Sequence, residues 1–121
     1  MDETILQTKC DNFSVRIYKL DQYLKEKNEY SISNQILRSG TSIGANVAES
    51  PNAESKEDFI HKIAIARKEA NETQYWLRLL HNVSLIDDNC FKSMKNDCTE
   101  LQKIMAATIR SISTKQIDEI G

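Results

Sequence analysis

Residues Gly40-Thr41-Ser42-Ile43-Gly44 spell G-x-S-x-G, the pattern of a serine-hydrolase nucleophile elbow. That chemistry needs a strand before the serine and a helix after it, so that the hydroxyl stands on a sharp turn. The preceding "ISNQILR" shows no strand alternation. Asp58 and His61 or His81 follow Ser42 in the order of a hydrolase triad, but order alone is satisfied easily. A phosphate loop is also excluded, because Gly44 is followed by Ala45-Asn46 where Lys-Ser or Lys-Thr would be needed. His61 and His81 would lie about 30 Å apart along one helix, too far to share a metal. Glu69 and Glu72 have the i,i+3 spacing of bundle carboxylates, yet neither histidine stands three residues after a glutamate, as a di-metal bundle site requires. Cys10, Cys90 and Cys98 form no C-x-x-C. Their odd number fits free thiols in a reducing compartment, with Cys90 and Cys98 expected to pack as small hydrophobes. No catalytic residue, cofactor or metal ligand is therefore expected, and the chain is read as a non-enzyme.

The elements that position these residues read as helices. The 121 residues contain only 3 Gly and 1 Pro, too few for a sheet with tight turns. Leu6, Cys10, Phe13, Ile17, Leu20 and Leu24 recur at steps of three and four, one apolar helix face. Ile36, Gly40, Ile43 and Val47 do the same after the break "KNEYSIS", with Ser33 as the expected N-cap, and Pro51 ends that helix. Phe59, Ile63, Ala66, Ala70, Thr73, Leu77 and Leu80 form a heptad-like seam behind a Ser55/Asp58 capping box. Phe91, Met94, Cys98, Leu101, Met105, Thr108 and Ile112 repeat it after Asp87 and Asp88, and the tail "STKQIDEIG" is expected to fray. The expectation is an all-α, antiparallel up-down-up-down four-helix bundle, one domain over 1–121, with helices over about 3–27, 34–49, 56–82 and 87–113.

Two helices have more faces than a lone bundle needs. Arg38, Ser42, Asn46 and Glu49 share a polar ridge opposite the apolar stripe of the second helix. Gly40 and Gly44 each cost about 1 kcal/mol against Ala in a helix interior, which close approach of another helix would offset. On the third helix Ile65, Glu69, Glu72 and Trp76 form a second stripe. Its glutamates call for a cationic partner, and Arg38 is the natural one, from the same chain or a neighbouring subunit. Lys56, Arg67, Asn71, Gln74 and Arg78 make a third sector without an acid, suited to phosphates. The formal net charge of −2 shows no overall basic excess of the kind duplex binders carry.

The run "QILRSGTSIGANVAES…SKEDFIHKIAIARKEANETQYWLRLL" resembles a bacterial family of small four-helix-bundle proteins. These are the ribosomal RNA intervening-sequence proteins, some of them encoded in insertions within large-subunit ribosomal RNA genes. The shared pattern is R-x-x-x-S-I-G-A-N-x-x-E, then S-x-x-D-F, then K-E-A-x-E-T-x-Y-W-L. It falls on Arg38, Ser42 to Asn46, Glu49, Ser55, Asp58, Phe59, Lys68 to Ala70, Glu72, Thr73 and Tyr75 to Leu77. The resemblance implies a ring-like homopentamer and no enzymatic activity. A relative, the accessory variability protein of diversity-generating retroelements, partners a reverse transcriptase and binds nucleic acid through a basic surface.

The expected function is thus a non-catalytic, oligomeric assembly or adaptor module using Arg38, Ser42, Asn46, Glu49, Glu69 and Glu72. The alternative is an accessory protein for structured RNA using Lys56, Arg67, Asn71, Gln74 and Arg78. No apolar h-region opens the sequence and no apolar run approaches the roughly 20 residues of a membrane span, so a cytoplasmic protein with no small-molecule substrate is expected.

Overall fold

The computed structural model describes residues 3–120, with side chains over 5–114. It is an all-α four-helix bundle: α1 Glu3–Glu26, α2 Tyr30–Glu49, α3 Lys56–Asn82 and α4 Asp88–Ile120. Consecutive helices pack side by side and α4 returns against α1, the up-and-down arrangement. The helices form for the reason their spacing gives. Every member of the α1 stripe from Leu6 to Leu24 is buried, as are Ile36, Gly40, Ile43 and Val47 of α2. In α3 the seam from Ile63 to Leu80 is buried and Phe59 half-buried. In α4 Met94, Cys98, Leu101 and Met105 are buried, and Phe91, Thr108 and Ile112 are half-buried.

Two boundaries differ from the sequence reading by more than one residue. α2 begins at Tyr30, four residues earlier than expected, because the connection needs only Lys27 to Glu29. Asn28 takes the left-handed conformation at φ 63, and the amide of Glu29 donates back to the Leu24 carbonyl at 2.9 Å, closing α1 as a Schellman turn. Ser33 is consequently not an N-cap. It lies inside α2, fully buried, and its hydroxyl donates to the carboxylate of Asp21. The N-cap position belongs to Glu29, which makes no side-chain capping bond. At the other end α4 does not stop near 113 but runs to Ile120, since no Gly or Pro interrupts the sequence there. Gly121 lies outside the described residues.

The remaining ends follow their chemistry. Pro51 sits in a 3₁₀ turn over Ser50–Asn52 that ends α2. Ser55 Oγ accepts from the Asp58 amide at 3.0 Å, while the Asp58 carboxylate accepts from the Glu54 amide at 3.2 Å. Asp87 caps α4, accepting from the Cys90 amide at 2.8 Å.

The two helical glycines set the spacing of α1 and α2. A methyl group placed at Gly40 would meet Ile17 side-chain atoms at 2.7 to 2.9 Å, and one at Gly44 would meet Cys10 Cβ at 3.3 Å. The G-x-x-x-G segment is therefore a helix-packing device directed at α1. It is continuous helix throughout, so the strand-turn-helix of a nucleophile elbow does not form.

Candidate interaction site

The outer seam between α2 and α3 gathers most of the expected ridge. Arg38 projects from α2 with its side chain 51% exposed, and its guanidinium spans to two carboxylates on α3. Nη1 donates to Glu69 Oε2 at 3.1 Å and Nη2 donates to Glu72 Oε2. The i,i+3 spacing of Glu69 and Glu72 puts both on the α2-facing edge of α3, so one planar guanidinium reaches both. Trp76, one turn after Glu72, donates its indole N–H to the same Glu72 oxygen at 3.0 Å. Tyr75 stands edge-on to Trp76 with ring centroids 5.0 Å apart, and the Arg78 guanidinium lies 5.7 Å over the Tyr75 ring. Two carboxylates converge on one guanidinium, so the cluster carries one excess negative charge.

The rest of the ridge does something different. Ser42 Oγ donates to the Arg38 carbonyl at 2.6 Å, and Asn46 Nδ2 donates to the Ser42 carbonyl at 2.8 Å. Both side chains therefore bond back to their own helix. Glu49 pairs with Lys62 of α3 at 3.3 Å, at the far end of the seam from Glu72. Beneath the surface Thr73 Oγ1 donates to Ser39 Oγ at 2.9 Å, a buried rung that fixes α2 against α3 under the Arg38 cluster. The sequence reading placed Thr73 in the core seam but gave no sign of Ser39 as its partner.

The model of the 23S rRNA-intervening sequence protein family matches residues 2–107. The chain belongs to that family. Among solved structures it is similar to a protein of unknown function from the S23 ribosomal protein family of Bacteroides thetaiotaomicron VPI-5482. The two share 46% identity over 91% of this chain and 99% of the other, with a TM-score of 0.88. No curated protein matches.

In this intervening-sequence family member, the sector expected to meet phosphates divides in two. Gln74 Nε2 donates to Thr99 Oγ1 at 3.1 Å and to Gln102 Oε1 at 2.8 Å, and Gln102 donates to Asn71. Asn71 and Gln74 thus hold α4 to α3. Lys56, Arg67 and Arg78 are exposed. A second cationic row, which the sequence reading missed, stands beside them on α4. Lys92, Lys95, Lys103 and Arg110 are all exposed and flank Thr99 and Gln102 at helical spacing. Past the first turns of α3 and α4, the only acids on either helix among residues with described side chains are Glu69, Glu72, Asp97 and Glu100. Glu69 and Glu72 face Arg38 on α2. Asp97 pairs with Arg16 at 2.5 Å and Glu100 with Lys9 at 3.1 Å, both on α1. Cross-helix ion pairs turn these acids away and leave the α3–α4 face basic on a chain of net charge −2.

Among the described residues no three His, Cys, Asp or Glu side chains gather to hold a metal ion. Burial pushes the Cys10 and Cys98 thiols up to about 12, far from a nucleophilic thiolate. Cys90, half-buried, is raised by the same cause. Among the described residues no helix is long and apolar enough to cross a membrane.

Proposed function

We propose that the protein is a non-catalytic adaptor of the cytoplasm that self-associates through the α2–α3 seam. The observation that carries this reading is the half-exposed cluster of Arg38, Glu69, Glu72 and Trp76 with Tyr75 and Arg78 beside it. Trp, Tyr and Arg are the residues that dominate interface energetics, and here hydrogen bonds hold Arg38 and Trp76, and ring contacts hold Tyr75 and Arg78, before a partner arrives. Resemblance to the intervening-sequence proteins supports a homopentamer as the assembly. Ser42, bonded to the Arg38 carbonyl, and the protonated thiols fit a role without covalent chemistry. Multi-angle light scattering tests the reading. Wild type should elute as an oligomer, and Trp76→Ala, with helicity intact by circular dichroism, as a smaller species. A wild-type monomer at micromolar concentration overturns it.

The charge segregation on α3 and α4 favours a second reading, an accessory protein for structured RNA. Arg67, Arg78, Lys92, Lys95, Lys103 and Arg110 present a two-row basic surface with Tyr75 at its edge, suited to a phosphate backbone. The likeness to the retroelement accessory protein supports the same reading, with a nucleic-acid enzyme as a further partner. Titration with a hairpin RNA at two salt concentrations decides it. Binding should weaken as salt rises, and Lys103→Glu/Arg110→Glu should abolish it. Absence of binding at low salt removes the reading without touching the first.

A further inference from the structure

Four of the seven large hydrophobic side chains exposed among the described residues lie on α1: Ile5, Val15, Tyr18 and Tyr23. Tyr23 leans on the α3–α4 turn, its hydroxyl donating to the Leu85 carbonyl at 3.1 Å. Val15 and Tyr18 stand one turn apart in the middle of the helix, 53% and 56% exposed. α1 packs against α2 and α4 and not against α3, so this face turns away from Glu69, Glu72 and Trp76. Neither self-association through the α2–α3 seam nor RNA binding uses it.

The charges around Val15 decide what could cover it. Asp11 and Lys19 stand four residues before and four after, all three exposed, so they form one i,i+4 ridge about 12 Å long. Asp11 accepts from the neutral Gln7 amide at 2.9 Å, and Lys19 has no hydrogen-bond or ion-pair partner among the described residues. The other charged groups of α1 between Thr8 and Gln22 are answered: Lys9 by Glu100, Arg16 by Asp97, and buried Asp21 by Lys25. Glu26, the next exposed acid on α1, lies about 10 Å beyond Lys19. The ridge thus carries one carboxylate and one ammonium without a counter-charge, at equal distances from an apolar centre. A partner of one charge sign would set like charge against Asp11 or against Lys19. The same ridge read backwards does not. A second α1 laid antiparallel about a two-fold axis at Val15 sets Asp11 of each copy against Lys19 of the other, with Val15 and Tyr18 between the two pairs. Such ridges run about 26° to the helix axis, so they align at a crossing of about 50°, the commonest angle in helix packing.

We propose that the exposed face of α1 is an isologous contact between two copies of this chain, antiparallel about Val15. Because an isologous contact closes on itself, it joins copies in twos, independently of the α2–α3 seam. The test is sedimentation equilibrium of the full chain carrying Trp76→Ala, with helicity checked by circular dichroism. At about 100 µM, where a contact this small forms, it should populate a dimer. Asp11→Lys makes the ridge wholly basic and Lys19→Asp makes it wholly acidic, and both changes are exposed. Each alone should weaken the dimer about tenfold or more, since both charge pairs become repulsive. An equal mixture of the two variants should dimerise close to the parent value, and so should the double variant Asp11→Lys/Lys19→Asp, because both arrangements restore opposite charges across the axis. A parent chain that stays monomeric overturns the proposal. So does a single variant that dimerises like the parent, or a mixture and double variant no tighter than the singles. Trp76→Ala alone reports on the seam, and the charge swap in that background reports on α1, so either can fail without the other.

Discussion

Replacing Gly40 by alanine puts a methyl group where α1 and α2 are closest, and the structure sets the size of the effect. The new carbon would lie 2.7, 2.8 and 2.9 Å from Cγ1, Cγ2 and Cδ1 of Ile17, against about 3.5–4.0 Å for a relaxed carbon contact. Ile17 is fully buried, and its β-branched side chain has essentially one helical χ1 rotamer, so rotation exchanges one clash for another. The helices must move apart. Overpacking costs about 1–3 kcal/mol, three contacts below 3.0 Å on one buried side chain put this case at about 2–3 kcal/mol, and alanine returns about 1 kcal/mol of helix propensity. A net loss of about 1–2 kcal/mol follows, a fall in Tm of roughly 4–8 °C for a chain of this length. Gly44→Ala is the internal control. Its methyl would meet Cys10 Cβ at 3.3 Å and Ser14 Oγ at 3.5 Å, gaps that a shift of a few tenths of an ångström accommodates. It should be neutral or stabilising by up to about 0.5 kcal/mol once the propensity gain is included. Urea unfolding followed by circular dichroism measures both, at one fixed protein concentration because self-association would shift the midpoint. A double-mutant cycle sharpens the test. Ile17→Ala should cost less in the Gly40→Ala background than in wild type, with a coupling of about 1 kcal/mol or more. Gly40→Ala as stable as wild type, or additive with Ile17→Ala, would refute the argument.

Two further outcomes follow from single residues. Asp21 is fully buried. Burial raises its carboxyl pKa, but the hydrogen bonds from Ser33 and Lys25, the Lys25 charge and the Gln22 amide outweigh that and hold it below the ordinary value. A depressed folded pKa gives stability that is complete above the unfolded value of about 3.9 and is lost as pH falls through the folded one. Acid unfolding below about pH 4 should therefore be shallower in Asp21→Asn, and Asp21→Ala should cost about 1–3 kcal/mol at neutral pH by orphaning the Ser33 hydroxyl. Both are read by urea melts across pH, and an Asp21→Asn variant with the wild-type acid profile contradicts the assignment. Ser84→Gly should stabilise by about 0.5–1 kcal/mol, the left-handed penalty of a side-chain residue less the added freedom of glycine in the unfolded chain. A thermal melt checks it, and an unchanged or lower Tm counts against strain at Ser84.

Periodicity carried most of the architecture into the sequence. The α1, α2 and α3 stripes are runs of apolar residues at steps of three and four, and burial follows them nearly residue by residue. Arg38 with Glu69 and Glu72 was legible for a related reason: two acids one turn apart between Ile65 and Trp76 need a cation, and Arg38 tops the only polar ridge on α2. What the sequence hides are the partners across helices. Ser33 looks like a cap because serine favours caps, and only the fold shows Asp21 waiting across the α1–α2 turn. Asn71 and Gln74 fall on the same helical sector as Arg67 and Arg78, so spacing could not separate the pair that grips α4 from the pair that meets solvent.

The basic face is the clearest case of such hidden partnership, because net charge describes a chain and binding depends on a surface. α4 carries Asp97 and Glu100 among its cations, and read linearly they neutralise one another. Folding rotates both acids toward Arg16 and Lys9 on α1, while α3 turns Glu69 and Glu72 toward Arg38. Exposed pairs of this sort add little stability, typically about 0–1 kcal/mol each. Their larger consequence is geometric. By drawing each acid to the far edge of its helix, they leave the α3–α4 surface to Arg67, Arg78, Lys92, Lys95, Lys103 and Arg110. Asp97→Asn and Glu100→Gln would leave those six cations in place and free Arg16 and Lys9 at the opposite edge. Any RNA affinity of the α3–α4 face should then change far less than it does on reversing Lys103 and Arg110.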